Sequence, residues 1–289
     1  MSFFIKNVKS EINAQVLPWL LRKKFDPEDI NVSALGNVSL FPELNLAFNR
    51  VKKNGNSATI STLHHMNGNK FTSSQQAKKK SIHLTDGNAR VLMNLDSFSY
   101  FVITRNPYSR ILSAFLNKMD KSNYIEKFGK YSLGPDGFYK FLRWVAETGL
   151  ECDKHWDFQK KLILGPLEQF DAVLKFESFP NCFEKLLCDH GFQISPTSKE
   201  ILTTTNQSTR TRANEKIKFY YSKHAIDLVS TIFNEDFEFL KYNKNFGTVF
   251  KNLEKSNFKI RSIKAFYYYD IGRWDIVLKD EIIIKLPDT

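Results

Sequence analysis

The 289 residues, 42% hydrophobic and 14% aromatic, suffice for one sizeable α/β core and exclude a disordered chain. Lys and Arg outnumber Asp and Glu by 42 to 31, and the net charge of +11 calls for an anionic partner: nucleic acid, a membrane surface or a phosphorylated small molecule. Cys152, Cys182 and Cys188 have neither the number for a disulfide framework nor the spacing of a zinc site, which points to a reduced, cytoplasmic setting.

Residues 1–40 read as an irregular or helical lead-in. Its apolar run Val16–Leu21, followed by Arg22-Lys23-Lys24, is too short to span a bilayer. It is expected as a helix packed on the domain, with peripheral membrane contact as the alternative. Leu44–Val51 reads as a buried strand running into Lys52-Lys53-Asn54-Gly55-Asn56-Ser57, with a helix starting near Ser57. Asn67–Lys80 is polar, without apolar periodicity, and is expected as a surface loop whose tip faces substrate.

Ser99–Thr104 is a second strand, broken by Arg105-Asn106-Pro107. Residues 108–119 then carry helical periodicity, with Pro107 suited to the first turn. Ala172–Phe176 is a third strand, followed by a helix over 179–190, and 217–240 reads as one long final helix. The alternation predicts an α/β fold with a parallel sheet flanked by helices. Residues 256–289 change character to a β-hairpin pattern, so the chain divides into 1–246 and a β-rich extension, 247–289.

A strand ending in a Gly-containing loop before a helix makes an anion site, because unpaired backbone N–H groups and the helix dipole converge there. In Lys53–Ser57, Gly55 lets the backbone approach a phosphate, Lys53 brings a charge, and Asn54, Asn56 and Ser57 surround them with polar side chains. The order Gly-Lys-Ser/Thr is absent, which weighs against an ordinary ATPase or GTPase. A helix N-cap in a basic surface loop is the plain alternative. In the second constellation, Arg105 through Ser113, a strand-end Arg and a Ser eight residues on face one oxyanion; a solvated Arg and a packing Ser are its alternative.

With both motifs in view, the chain resembles the sulfotransferases that use 3′-phosphoadenosine 5′-phosphosulfate (PAPS), in particular the carbohydrate type that includes chondroitin and HNK-1 sulfotransferases. Arg50–Ser57 is similar to that family's 5′-phosphosulfate loop, with Lys52 where Pro is usual, and Arg105-Asn106-Pro107 through Ser113 and Phe115 is similar to its 3′-phosphate motif. His155-Trp156-Asp157-Phe158-Gln159, Leu174–Glu177 and Phe233–Phe239 resemble further family elements in the same order. The resemblance covers about residues 44–246 and implies a P-loop-like fold, PAPS as co-substrate, no metal, and a carbohydrate or glycan hydroxyl as acceptor.

It also implies roles. Lys53 would neutralise the leaving phosphate, and Lys53, Asn54, Gly55, Asn56, Ser57, Arg105 and Ser113 would hold the donor. Arg210 or Arg212, in the loop Thr205–Arg212, would reach the 3′-phosphate, a flexible basic loop being the alternative. The acceptor needs a base, for which His83 in Ser81-Ile82-His83-Leu84 is preferred and His155 is second. Lys78-Lys79-Lys80 would attract an anionic acceptor or be a solvated run. The rival classes are a P-loop-like nucleotide-phosphate kinase and a basic nucleic-acid-binding protein.

Overall fold

The computed structural model describes residues 15–208, 211–250, 263–268, 273–278 and 283–285. α1 (residues 15–21) lays Leu17 and Leu21 into the core and leaves Val16 and Trp19 exposed. β1 (Val38–Phe41) and β2 (Leu46–Asn49) are joined by a tight connection in which Asn45 takes φ 49°. α2 (Asn56–Met66), α3 (Ser74–Lys80), the two-residue β3 (Ile82–His83) and α4 (Ala89–Leu92) lead to β4 (Ser99–Thr104). α5 (Pro107–Lys118), α6 (Ser122–Phe128) and α7 (Pro135–Trp144) follow, then β5 (Ala172–Lys175), α8 (Asn181–Asp189) and α9 (Pro196–Ser208). α10 (Ala213–Tyr220), α11 (Lys223–Ile232), α12 (Asn234–Phe239) and α13 (Phe246–Val249) complete the helices. Further on, β6 (Ile263–Tyr268), β7 (Arg273–Leu278) and β8 (Ile283–Lys285) pair antiparallel in a separate sheet. Residues 1–14 and the rest of the expected C-terminal extension lie outside the described residues.

The main sheet has the order β3-β1-β2-β4-β5. β2, β4 and β5 are parallel, with Leu46 opposite Ser99 and Phe101 opposite Ala172. β1 runs antiparallel to both β2 and β3, which corrects the expectation of a parallel sheet throughout. The physical reason is the link: four residues, Pro42–Asn45, can only return the chain antiparallel, whereas a parallel step needs a crossover such as α2. β4 shows why a central strand is apolar on both faces. Tyr100 and Val102 pack with Leu17, Leu21 and Phe25 on one face, and Phe101 and Ile103 pack with Ile60, Leu63 and Phe183 on the other.

Two expectations about helices also change. Residues 67–80 are not loop throughout: Ser73 caps α3 by accepting from the Gln76 N–H at 3.3 Å, and Ala77 is fully buried. One buried residue in two turns is too little periodicity to read. The long final helix is three helices, because Tyr221 is extended (φ −100°, ψ 98°) and Ser222 caps a new start by accepting from the Ala225 N–H. The aromatic ring of Tyr221 packs on Tyr108 and Phe138, and its hydroxyl donates to the Tyr108 carbonyl at 2.8 Å. No helix among the described residues is long and apolar enough to cross a membrane.

Candidate active site

The three parallel strands end on one edge, where α/β sheets place ligands. The turns leaving β2 and β4 and the segment after β5 border a cleft of about 770 Å³ there. Seven cationic side chains line it, Lys52, Lys53, Lys78, Arg105, Lys118, Lys121 and Arg212, against two carboxylates, Glu177 and Glu215. Glu177 is already engaged, accepting from the Asn106 N–H at 2.8 Å and the Tyr242 hydroxyl at 2.7 Å. The cleft is therefore built for an anion.

The loop from Val51 to Gly55 carries two left-handed residues, Lys53 at φ 73° and Gly55 at φ 78°. At Gly55 the left-handed backbone favours glycine, while an added Cβ would find only ordinary contact with the Phe176 and Phe179 rings at 3.4 and 3.5 Å. For Lys53 the same backbone region is strained, and it persists because the Arg105 Nη1 donates to the Lys53 carbonyl at 2.9 Å. The loop delivers the start of α2, with Asn56, Ser57 and Ala58 lining the cleft and their N–H groups lacking earlier carbonyls in the helix. Burial lowers the Lys53 ammonium to about 7, helped by Arg105, Lys118, Lys121 and Arg110.

Arg105 is 5% exposed and stands at the end of β4. Its Nε donates to the Ser109 hydroxyl at 3.0 Å, its Nη2 reaches Asn214 Oδ1 at 3.4 Å, and its guanidinium lies 4.3 Å from the centre of the Phe176 ring. Burial lowers its pKa to about 10, so it is charged at neutral pH. Of its five N–H donors, three are used among the described residues, leaving two for a ligand. Ser113, two turns along α5, lines the same cleft and accepts from the Thr211 hydroxyl at 3.0 Å.

Beneath this surface sits a buried amide, Gln159, for which the sequence indicated no structural role. Gln159 Oε1 accepts from Asn54 Nδ2 at 2.7 Å and from the Arg105 N–H at 3.1 Å, while its Nε2 donates to the Arg105 carbonyl at 2.7 Å. Its own N–H donates to Asp236 Oδ2 at 2.8 Å. Thus Asn54 points inward and braces the loop instead of facing the cleft; it is fully buried and also donates to the Ile103 carbonyl. Arg110 is a brace too, its guanidinium donating to the carbonyls of Lys52, Lys154 and Asp157.

His155 lines the cleft, with Nδ1 in a short hydrogen bond to Asp153 Oδ1 and the Tyr124 hydroxyl on Asp153 Oδ2 at 3.0 Å. Burial lowers its pKa, Asp153 raises it, and Lys118 and Lys52 lower it again. His83, preferred from the sequence, is not among the residues lining the cleft; its ring lies 3.5 Å from Arg50 on β3 at the sheet edge. Arg212 lines the cleft, exposed, at the start of α10. Arg210 lies outside the described residues. The structure thus gathers Lys53, Gly55, Asn56, Ser57, Arg105, Ser113, His155 and Arg212 around one cleft, and leaves His83 and Asn54 off its lining. Sequence reasoning missed Gln159, Asp153, Thr211, Asn214 and Lys118. Gln159 closes the His155–Gln159 element and Thr211 lies in the Thr205–Arg212 loop, but neither was given a role; Asp153, two residues before a candidate base, also left a readable signal.

A profile of the sulfotransferase family matches residues 37–243, more than two thirds of the chain. The chain belongs to the sulfotransferase family, and its domain is one for sulfuryl transfer. The comparisons with curated proteins and with solved structures found no match.

Proposed function

We propose that this chain transfers the sulfuryl group of PAPS to a hydroxyl of a carbohydrate acceptor that itself carries negative charge. The observation that supports the reading most is the joint facing of the α2 N-terminus, Lys53, Arg105 and Ser113 into one electropositive cleft. The residues fit such a donor. Gly55 at φ 78° turns the loop so that the start of α2 meets the cleft, and the side chains around it are those that bind phosphates. When bound, the donor supplies an activated sulfuryl group. Lys53 and Ser57 would hold its 5′ end, and Arg105, Ser113 and Arg212 its 3′-phosphate.

Transfer of this kind has a loose in-line transition state, so positioning and charge compensation carry the catalysis. Lys53 would stabilise charge growing on the leaving phosphate. With Nδ1–H held by Asp153, His155 keeps Nε2 as an acceptor, and its lowered pKa leaves it neutral and ready to take the acceptor hydroxyl's proton. Lys52 and Lys118 would draw in the anionic acceptor.

Calorimetric titration with adenosine 3′,5′-bisphosphate tests the donor site. Micromolar binding to wild type, weakened at least about 30-fold in Arg105→Ala, is the expected result, since a buried bidentate cation is lost. No binding to the folded wild type would overturn PAPS as the donor held in this cleft. For the base, His155→Ala is expected to lower turnover about 100-fold with bisphosphate affinity unchanged, and His83→Ala to stay within about threefold of wild type. Steady-state rates showing the reverse pattern would return the role to His83.

A further inference from the structure

Lys78 differs from the two lysines after it. Lys79 and Lys80 are exposed, whereas Lys78 is half-buried, lines the cleft, and donates from Nζ to the Ser57 hydroxyl at 2.5 Å. Ser57 is in the first turn of α2, where open N–H groups already place partial positive charge. Burial lowers the Lys78 ammonium to about 8, helped by the neighbouring cations Lys52, Arg50 and Lys118. An ammonium held at a helix N-terminus among other cations is an unfavourable arrangement that a bound anion relieves.

The position of Lys78 is not incidental. α3 is anchored beside it by Ala77, which is fully buried in the core under the sheet. Ser81, just past the helix, donates to the Ala77 carbonyl at 3.0 Å and meets His64 Nε2 at 3.0 Å. Lys78 thus projects from a fixed helix onto the α2 side of the cleft, while Arg105 and Ser113 belong to the β4–α5 side.

We propose that Lys78 is a second donor-contacting lysine, which binds the 5′-phosphate oxygens of a 3′-phosphoadenosine ligand together with Ser57 and Lys53. The proposal rests on the donor reading above and adds a residue from outside both phosphate motifs. Ser57 marks the place on the ammonium that a phosphate oxygen would take.

Two ligands separate the ends of the site: adenosine 3′,5′-bisphosphate and adenosine 3′-monophosphate, each titrated calorimetrically into the full chain. Lys78→Met is expected to bind the bisphosphate about tenfold more weakly and the monophosphate as wild type does, with Lys78→Arg recovering most of the loss and Lys79→Met showing none. Unchanged bisphosphate binding in Lys78→Met, an equal loss for both ligands, or the same loss in Lys79→Met would overturn the role of Lys78 and leave the donor reading standing. Failure of wild type to bind either ligand would overturn the donor reading and the role of Lys78 with it.

Discussion

Lys53→Met will lower sulfuryl-transfer turnover by about 10²–10³-fold, the range for removing one preorganised charge from a developing oxyanion. The side chain keeps its length and apolar stem, so the loss reports the ammonium. A pH signature accompanies it. The free protein holds the Lys53 ammonium down to about 7 through burial and the cations around it, so above neutral pH most molecules carry this lysine uncharged. A polyanionic ligand favours the charged form, and binding at pH 8 therefore takes up close to one proton at this residue. Affinity for adenosine 3′,5′-bisphosphate is expected to fall as pH rises above about 7, by up to about tenfold per unit, until the pKa of the bound state is reached. Titrations in buffers of different ionisation heat measure the uptake, and Lys53→Met should lose the part due to Lys53. Turnover within threefold of wild type, or proton uptake unaltered by the substitution, would remove Lys53 from the proposed role.

What the sequence disclosed about the fold follows from where the information is local. β4 is a six-residue apolar run buried on both faces, and Pro107 marks the first turn of α5, so both read correctly from a few neighbouring residues. β1 is four residues long and fully buried, but it merges with the lead-in, and its antiparallel pairing depends on the turn after it. α3 hid because its single buried residue, Ala77, gives no period, and the break at Tyr221 because aromatic packing, not a Gly or Pro, interrupts the helix. Tertiary contacts decided each of these.

The site divides in the same way. Lys53–Ser57 and Arg105–Ser113 are contiguous, and the physics of a strand end meeting a helix start makes them legible without a partner. Their meeting in one cleft follows from the parallel pairing of β2 with β4; the alternation predicted a parallel sheet but not which strands are neighbours. His83 and His155 were not separable from sequence, since the difference is which ring reaches the cleft and which packs near Arg50. Asn54 sits within the loop motif yet braces it from below, an orientation fixed by Gln159, 105 positions away.

That brace carries the largest stability prediction. Gln159 is fully buried, and Gln159→Leu preserves roughly its size while breaking three hydrogen bonds made by the side-chain amide. The Arg105 N–H and carbonyl would then be left inside without those partners, and each unsatisfied buried group costs about 1–3 kcal/mol. We expect unfolding free energy to drop by about 4 kcal/mol, a large share of the 5–15 kcal/mol typical of a domain, seen as a lower denaturant midpoint at unchanged slope. Gln159→Glu is the informative companion. Its carboxyl, buried where one oxygen would face the Arg105 carbonyl, is pushed above its unfolded value, and only the protonated form donates as the amide did. Below the unfolded pKa both states are protonated and the penalty is least; as pH rises past that value the unfolded chain releases its proton first and stability is lost until the folded pKa is passed. Gln159→Glu should therefore be closer to wild type at pH 5 than at pH 8, while Gln159→Leu should be destabilised equally at both. A loss below about 1 kcal/mol in Gln159→Leu would mean that the loop and the end of β4 hold their shape without the amide. The expected loss would instead make Gln159 the reason why a strained Lys53 and a buried Arg105 are already in place when the ligand arrives.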